Sequence, residues 1–193
     1  MDDDVAKTCP VDAMKASQHR HSGGMHRSEG LRRIADSVRG ELERIAVRGS
    51  VILDYGCGAG YYCRFLEKYA SKLYCVDISD DALKETKAAV PDAITVNDTS
   101  GIASGSVDLI LFANSFHDMN DKRKVIREVD RMLSERGRII ILDWKKDATQ
   151  TSGPPISLRM SESDYLGLFS GYGVIERFEV PDTHFGMVIS KQH

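Results

Sequence analysis

The sequence predicts an α/β fold, a mostly parallel sheet with helices on both of its faces. Strand-like and helix-like segments alternate across residues 51–144, a rhythm that is typical of βαβ units. The predicted strands are continuous apolar runs, as expected for parallel strands that are covered on both sides. The chain has 193 residues, of which 41% are hydrophobic and 28% charged, which suits a single globular domain.

Three helices and three strands are predicted in the first half of the chain. The helices span 27–47, 61–70 and 80–89, and the strands span 51–55, 72–76 and 93–96. The first helix is amphipathic, with apolar residues recurring on one face, and Gly49 marks its end. The third helix is capped by Ser79 or Asp80 and stopped by Pro91. Apolar runs define the strands.

The second half continues this rhythm and then changes. Strands are predicted over 107–112 and 138–144 around a helix over 121–134, followed by a helix over 161–169 and strands over 174–180 and 185–190. Gly137 is the expected stop of the helix that precedes the fifth strand. A polar loop is expected over 145–160, and the last two strands are expected to form an antiparallel hairpin at one sheet edge.

The domain organisation is predicted to be simple. A polar arm or lid over 1–27 precedes one domain over 28–193, which divides into a half over 48–145 and a half over 146–193. The formal net charge of −3 gives no basic field for nucleic acid. No apolar run approaches the roughly 20 residues of a membrane span, and no secretory signal is expected. Four cysteines without a C-x-x-C pair suit a reduced, cytoplasmic setting.

The most specific motif follows the first strand. That strand ends in Asp54, and glycines then stand at alternate positions, Gly56, Gly58 and Gly60. Glycine lacks a Cβ and allows positive φ, so the backbone can approach a bound molecule closely. The spacing departs from the G-x-G-x-x-G of dinucleotide sites. An acidic residue at this place disfavours pyrophosphate and suits a ligand with an ammonium group and no phosphate.

Two further carboxylates follow the next strands. Asp77 ends the second strand, where an acidic residue can accept both ribose hydroxyls of an adenosine. Asp98 follows the third strand and could face the adenine amino group. Since ligands of open α/β sheets bind at the carboxyl ends of the strands, the three carboxylates are expected at one rim.

On these residues the chain resembles the class I S-adenosylmethionine-dependent methyltransferases. The segments that carry the resemblance are 54–60, 76–79 and 107–112. Within this superfamily the sequence is similar to the type 11 group, which includes ubiquinone/menaquinone biosynthesis methyltransferases. The resemblance implies a Rossmann-like, doubly wound sheet of seven strands with an antiparallel last strand. It also implies S-adenosylmethionine as cofactor, a methyl acceptor as partner, and a cofactor site. The implied cofactor-binding residues are Asp54, Gly56, Cys57, Gly58, Gly60, Asp77, Ile78, Asp98, Thr99 and Asn114.

The acceptor side is expected just after the fourth strand. His117 is the candidate general base, because the unperturbed pKa of histidine lies near neutrality; the alternatives are a hydrogen-bonded rim histidine or a contact of the cofactor. Phe116 is expected to pack against the cofactor. Trp144 could stack on an acceptor or belong to the core. Arg159 could attract an acidic substrate or lie in a solvated loop.

Several alternatives bear on the class of acceptor. Residues 114–117 lack the Pro-Pro-aromatic pattern of methyltransferases that act on nucleic-acid amino groups, so a small molecule is expected instead. His19, His21 and His26 with Cys9 match no zinc spacing, so no metal is expected. A dinucleotide-dependent oxidoreductase and a non-catalytic S-adenosylmethionine-binding protein remain rivals. The acceptor atom and the oligomeric state stay open.

Overall fold

The computed structural model describes residues 24–148, 153–178, 180 and 183–192. The helices are α1 (Gly24–Ile45), α2 (Cys63–Leu66), α3 (Asp80–Ala89), α4 (Lys122–Met132) and α5 (Glu162–Leu168). The strands are β1 (Ser50–Tyr55), β2 (Ala70–Val76), β3 (Ile94–Val96), β4 (Val107–Ala113), β5 (Leu133–Trp144), β6 (Tyr172–Phe178) and β7 (His184–Lys191). Short 3₁₀ segments occupy Glu67–Tyr69, Phe116–Asp118 and Ile156–Leu158.

The strands form one seven-stranded sheet in the order β3-β2-β1-β4-β5-β7-β6. Strands β1 to β5 pair in parallel with their neighbours, whereas β7 is antiparallel to both β5 and β6. This confirms the α/β fold class and the antiparallel last strand. Strands β2 and β3 lie on one side of β1, whereas β4 and β5 lie on its other side, so the strand order reverses between β1 and β4. Ligands of open α/β sheets bind at such a reversal.

Two apolar cores cover the faces of the sheet. One contains side chains of α4 and α5, such as Val125, Val129 and Tyr165. The other contains side chains of α1 and α3, such as Leu42 and Leu83. Both faces are therefore covered, which explains why the central strands are apolar along their length. In the described residues, no helix combines the length and the apolar character that crossing a membrane requires.

The predicted bounds of a helix are right where a capping residue determines its first turn. Helix α3 has the predicted bounds, and the Ser79 hydroxyl accepts a hydrogen bond from the Ala82 amide at 3.2 Å, as an N-cap should. The predicted helix over 61–70 is too long, because β2 already begins at Ala70 and only α2 and a 3₁₀ turn fit before it. The polar loop contains a 3₁₀ turn, Ile156–Leu158, that was not predicted.

The prediction for Gly137 is wrong. Helix α4 ends at Met132, β5 begins at the next residue, and Gly137 lies inside the strand. A Cβ at Gly137 would stand 2.6 Å from Leu133 Cγ, so the glycine permits close packing rather than a helix end. Residues 24–27 belong to α1, and the rest of the predicted arm lies outside the described residues, as do His19 and His21.

Candidate active site

The glycine turn is held against the end of β2 by its own backbone. The φ angles of Gly56, Gly58 and Gly60 are +83°, +52° and +74°, which a residue with a Cβ rarely adopts. The amides of Gly56 and Cys57 both donate to the Val76 carbonyl, at 2.7 and 3.0 Å. These two hydrogen bonds fix the start of the turn to the end of the neighbouring strand.

Replacing Gly56 with alanine is expected to lower both stability and cofactor affinity. The new Cβ would lie 2.5 Å from Ser115 Cβ, and the positive φ adds about 1–2 kcal/mol of strain for an L-residue. Chemical denaturation and calorimetry with S-adenosylhomocysteine measure the two effects. The matched control is Gly101→Ala, where nothing lies within 4 Å of the added Cβ. Equal behaviour of the two variants would contradict the expectation.

Asp77 is fixed in one orientation. Its Oδ2 accepts a hydrogen bond from the Gly58 amide at 2.9 Å, and its Oδ1 accepts one from the Ser79 amide at 3.0 Å. Each oxygen keeps a free lone pair. A ribose with two adjacent hydroxyls matches this arrangement.

A cavity of about 730 Å³ opens at this corner. Its wall comes from the glycine turn with the residues after it, from the end of β2 with the start of α3, and from the segment after β4. Of the residues predicted to bind the cofactor, the wall includes Gly56, Cys57, Gly58, Asp77, Ile78 and Asn114. It also includes residues that the sequence did not assign to the cofactor, among them Tyr61, Tyr62, Ser115, Asp118 and Met119. These directly follow the recognised motifs, and that adjacency is the only signal for them.

Other predicted cofactor residues lie away from this wall. Asp54 is 1% exposed, burial raises the pKa of its carboxyl, and the Cys63 thiol donates to its Oδ2 at 3.1 Å. It therefore supports the turn from beneath. Thr99 is buried and donates to Glu128 at 3.1 Å, while Asp98 accepts from the Ser100 amide at 2.7 Å. Gly60 faces Thr86 instead of the cavity, because a Cβ built on Gly60 would lie 3.0 Å from the Thr86 hydroxyl oxygen.

His117 is buried in a polar network. Its Nδ1 lies 2.8 Å from Asp143 Oδ1, and the Tyr165 hydroxyl donates to the other oxygen of that carboxylate. Among the described residues its Nε2 has no hydrogen-bond partner, and it lies 3.4 Å from Asp118 Oδ1. Burial lowers the pKa of His117, but the hydrogen bond and charge of Asp143 outweigh it, so the pKa is raised overall. Asp118, and not His117, lines the cavity.

The raised pKa of His117 predicts how stability depends on pH. Stability from its pair with Asp143 is fully present below the unfolded pKa, about 6.5, and is lost as pH rises through the higher folded value. Urea unfolding at pH 5.5 to 8.5 should show the wild-type free energy falling over this range. His117→Gln should flatten that part of the curve. An unchanged slope in the variant would show that the histidine does not titrate there.

The other residues predicted on the acceptor side, Phe116, Trp144 and Arg159, have different environments in the structure. Phe116 is fully buried in the core, so its ring does not face the cavity. The partly buried ring of Trp144 has two close neighbours, the His184 ring at 4.2 Å and the Arg159 guanidinium at 5.3 Å from its centre. Arg159 is 4% exposed and donates to the carbonyls of Pro154 and Ala148, both at 3.0 Å. It braces its loop instead of lying in solvent.

The residues of the corner fit an adenosyl sulfonium cofactor. Asp77 offers the pair of acceptors that a ribose needs. No atom lies within 4 Å of a Cβ built on Gly58, which leaves open space beside the turn. Carboxylates dominate the charged part of the wall, as suits a positively charged sulfonium and ammonium.

The comparisons with known proteins agree. A model of a methyltransferase domain matches residues 53–141. The crystal structure of a protein from Sulfolobus solfataricus, described as a type 11 methyltransferase, is 48% identical. The match covers 82% of this chain and 91% of the other, with a TM-score of 0.75. The chain belongs to the type 11 methyltransferases. It is an enzyme whose cofactor is S-adenosylmethionine.

More distant similarities concern the fold alone or part of the sequence. A methyltransferase structure from Aquifex aeolicus shares the fold, with 24% identity, a TM-score of 0.69 and coverage of 83% of this chain and 96% of that one. A demethylmenaquinone methyltransferase from Thermotoga maritima is 29% identical over 108 residues, which cover 51% of this chain and 45% of that protein. The methyltransferase spans between 33% and 60% of the length of the first curated relatives it matches.

Proposed function

We propose that this methyltransferase transfers the methyl group of S-adenosylmethionine to a small-molecule acceptor. The acidic cavity wall carries this proposal. Asp77, Asp80, Asp81 and Asp118 line it, and its one cation among the described residues, Lys84, is ion-paired with Asp81 at 2.9 Å. Such a wall repels a phosphate backbone, whereas nucleic-acid sites need basic residues.

Two further observations support a small acceptor. Phe116, the aromatic residue after β4, is in the core and is not available to stack on an extruded base. Two curated relatives are named for small molecules, demethylmenaquinone in Thermotoga maritima and sarcosine or dimethylglycine in Halorhodospira halochloris. The second is 29% identical over 126 residues, 57% of this chain and 45% of that protein.

The residues of the chain would act mainly by orientation. Asp77 would hold the ribose, the glycine turn the methionine portion, and Ile78 the adenine side. When bound, the cofactor supplies an electrophilic methyl group on a sulfonium. Placing a nucleophile in line with that methyl group in a water-poor cavity accounts for much of the rate of such reactions. Asp118 lines the cavity just after β4, where the acceptor is expected, so its carboxylate is a candidate to take a proton from the acceptor.

A label-transfer experiment tests the class of acceptor. Cell extract is separated into small molecules, nucleic acid and protein, and each fraction is incubated with the enzyme and methyl-labelled S-adenosylmethionine. We expect label in the small-molecule fraction, and a strong loss with Asp77→Ala. Label that enters nucleic acid or protein instead would contradict the proposal while leaving the cofactor assignment intact.

We further infer a cytoplasmic location. The cysteines of the described residues, Cys57, Cys63 and Cys75, are buried free thiols, as is usual in a reducing compartment. Fractionation of cells that express the tagged full-length protein tests this. Recovery from a membrane or secreted fraction would contradict it.

A further inference from the structure

Asn114 connects the end of β4 to two distant elements. It has a φ of +54°, a left-handed conformation that is uncommon for a residue with a side chain, and its amide donates to the Leu142 carbonyl at 2.8 Å. Its Oδ1 lies 2.9 Å from His184 Nε2, and its Nδ2 donates to the Tyr62 hydroxyl oxygen at 3.2 Å. Both polar atoms of the Asn114 side chain are therefore hydrogen-bonded, which holds this strained residue in place beside the cavity.

His184 sets the direction of this chain of hydrogen bonds. It is fully buried, and burial lowers its pKa to about 4, so the ring is neutral at physiological pH. A neutral imidazole has one N–H donor and one acceptor nitrogen. Since Nε2 donates to Asn114, Nδ1 accepts from the Thr183 hydroxyl at 2.8 Å. Every donor from Thr183 to Tyr62 thus points toward the cavity.

The Tyr62 hydroxyl is left as a neutral donor. Burial raises the pKa of Tyr62, so it stays protonated. Its oxygen accepts from Asn114, and within the described part of the chain its proton has no acceptor. Tyr62 is 5% exposed and lines the cavity two residues after the glycine turn. A buried hydroxyl proton without a partner costs free energy unless a ligand accepts it.

Two other donors on the wall are already used. The Ser115 hydroxyl donates to the Tyr55 carbonyl at 2.6 Å, and the Gly58 amide donates to Asp77. With the methionine portion at the glycine turn, as proposed above, the cofactor would present its amino-acid end there, and the carboxylate of that end is its one anionic group. That carboxylate faces a wall of carboxylates and needs a donor.

We propose that the Tyr62 hydroxyl donates a hydrogen bond to the carboxylate at the methionine end of S-adenosylmethionine. Asn114, His184 and Thr183 are positioning residues that aim it. The proposal rests on the placement of the methionine end at the glycine turn and does not depend on the identity of the acceptor.

Calorimetry with two ligands tests the contact. S-adenosylhomocysteine and its decarboxylated analogue, which lacks only the carboxylate, are titrated into the wild type and Tyr62→Phe. We expect Tyr62→Phe to weaken S-adenosylhomocysteine about tenfold and the analogue less than twofold. Tyr69→Phe, the same change outside the cavity, should leave both affinities unchanged. An equal loss for both ligands, or no loss for S-adenosylhomocysteine, would overturn the proposal.

A double-mutant cycle tests the positioning role. His184→Phe should reduce the affinity for S-adenosylhomocysteine by about the same factor as Tyr62→Phe, and the double variant should lose no more than either single one. Multiplying losses would show that His184 acts on the cofactor by another route, which overturns the relay. If the wild type failed to bind S-adenosylhomocysteine, the cofactor assignment itself would fall.

Discussion

Asp77→Ala is expected to weaken S-adenosylhomocysteine binding by at least tenfold. The carboxylate is held by the Gly58 and Ser79 amides at 2.9 and 3.0 Å, with its remaining lone pairs available to the ribose hydroxyls. Hydrogen bonds to a charged group contribute about 1.5–3 kcal/mol each, and about 1.4 kcal/mol corresponds to a factor of ten. Isothermal titration calorimetry measures the change directly.

Two controls separate the ribose contact from a general effect of charge. Asp92→Ala removes the same charge from an exposed residue outside the cavity and should leave the affinity unchanged. Decreased stability of the turn would appear in thermal unfolding of Asp77→Ala without ligand, since Asp77 also accepts two backbone amides. Wild-type affinity in Asp77→Ala would show that the ribose lies elsewhere.

Phe116→Ala should destabilise the protein by about 3–5 kcal/mol, the usual cost of removing a buried aromatic side chain. The ring is fully buried and its centre lies 5.1, 5.3 and 5.4 Å from those of Phe112, Tyr165 and Phe169. A cavity at this place cannot fill without moving the core between β4 and α5. Urea denaturation measures the free energy of unfolding.

The control for Phe116 is Phe65→Ala. Phe65 is partly buried, and its ring lies under the Arg39 guanidinium at 5.2 Å, so its removal should cost clearly less. An equally small effect of both substitutions would contradict the core position of Phe116. A loss of cofactor affinity in Phe116→Leu without loss of stability would instead favour the cofactor contact that the sequence predicts.

The fold was predictable wherever short-range chemistry decides the backbone. Ser79 and Pro91 delimit α3, and apolar runs define the central strands, because both signals act within a few residues. The start of β5 was not predictable from the sequence, because a glycine after a helical pattern usually ends the helix. Gly137 instead permits close packing against Leu133. Tertiary contact overrides that local preference.

The site was predictable in part for the same reason. The glycine turn and Asp77 each directly follow one of two successive apolar strands, a local signal, and the structure brings them together. The contacts of Asn114 with Tyr62 and His184 join residues 52 and 70 positions apart, and no local pattern encodes such pairs. Phe116 shows the opposite case, since an aromatic residue beside a cofactor motif gives no sign of the face it will occupy.

A crystal structure of the complex with S-adenosylhomocysteine would show whether the cofactor binds in the cavity beside the glycine turn. We predict both ribose hydroxyls within hydrogen-bonding distance of the Asp77 carboxylate and the homocysteine portion against the turn from Gly56 to Gly60. A ligand bound outside this cavity, or a ribose that Asp77 does not contact, would contradict the account.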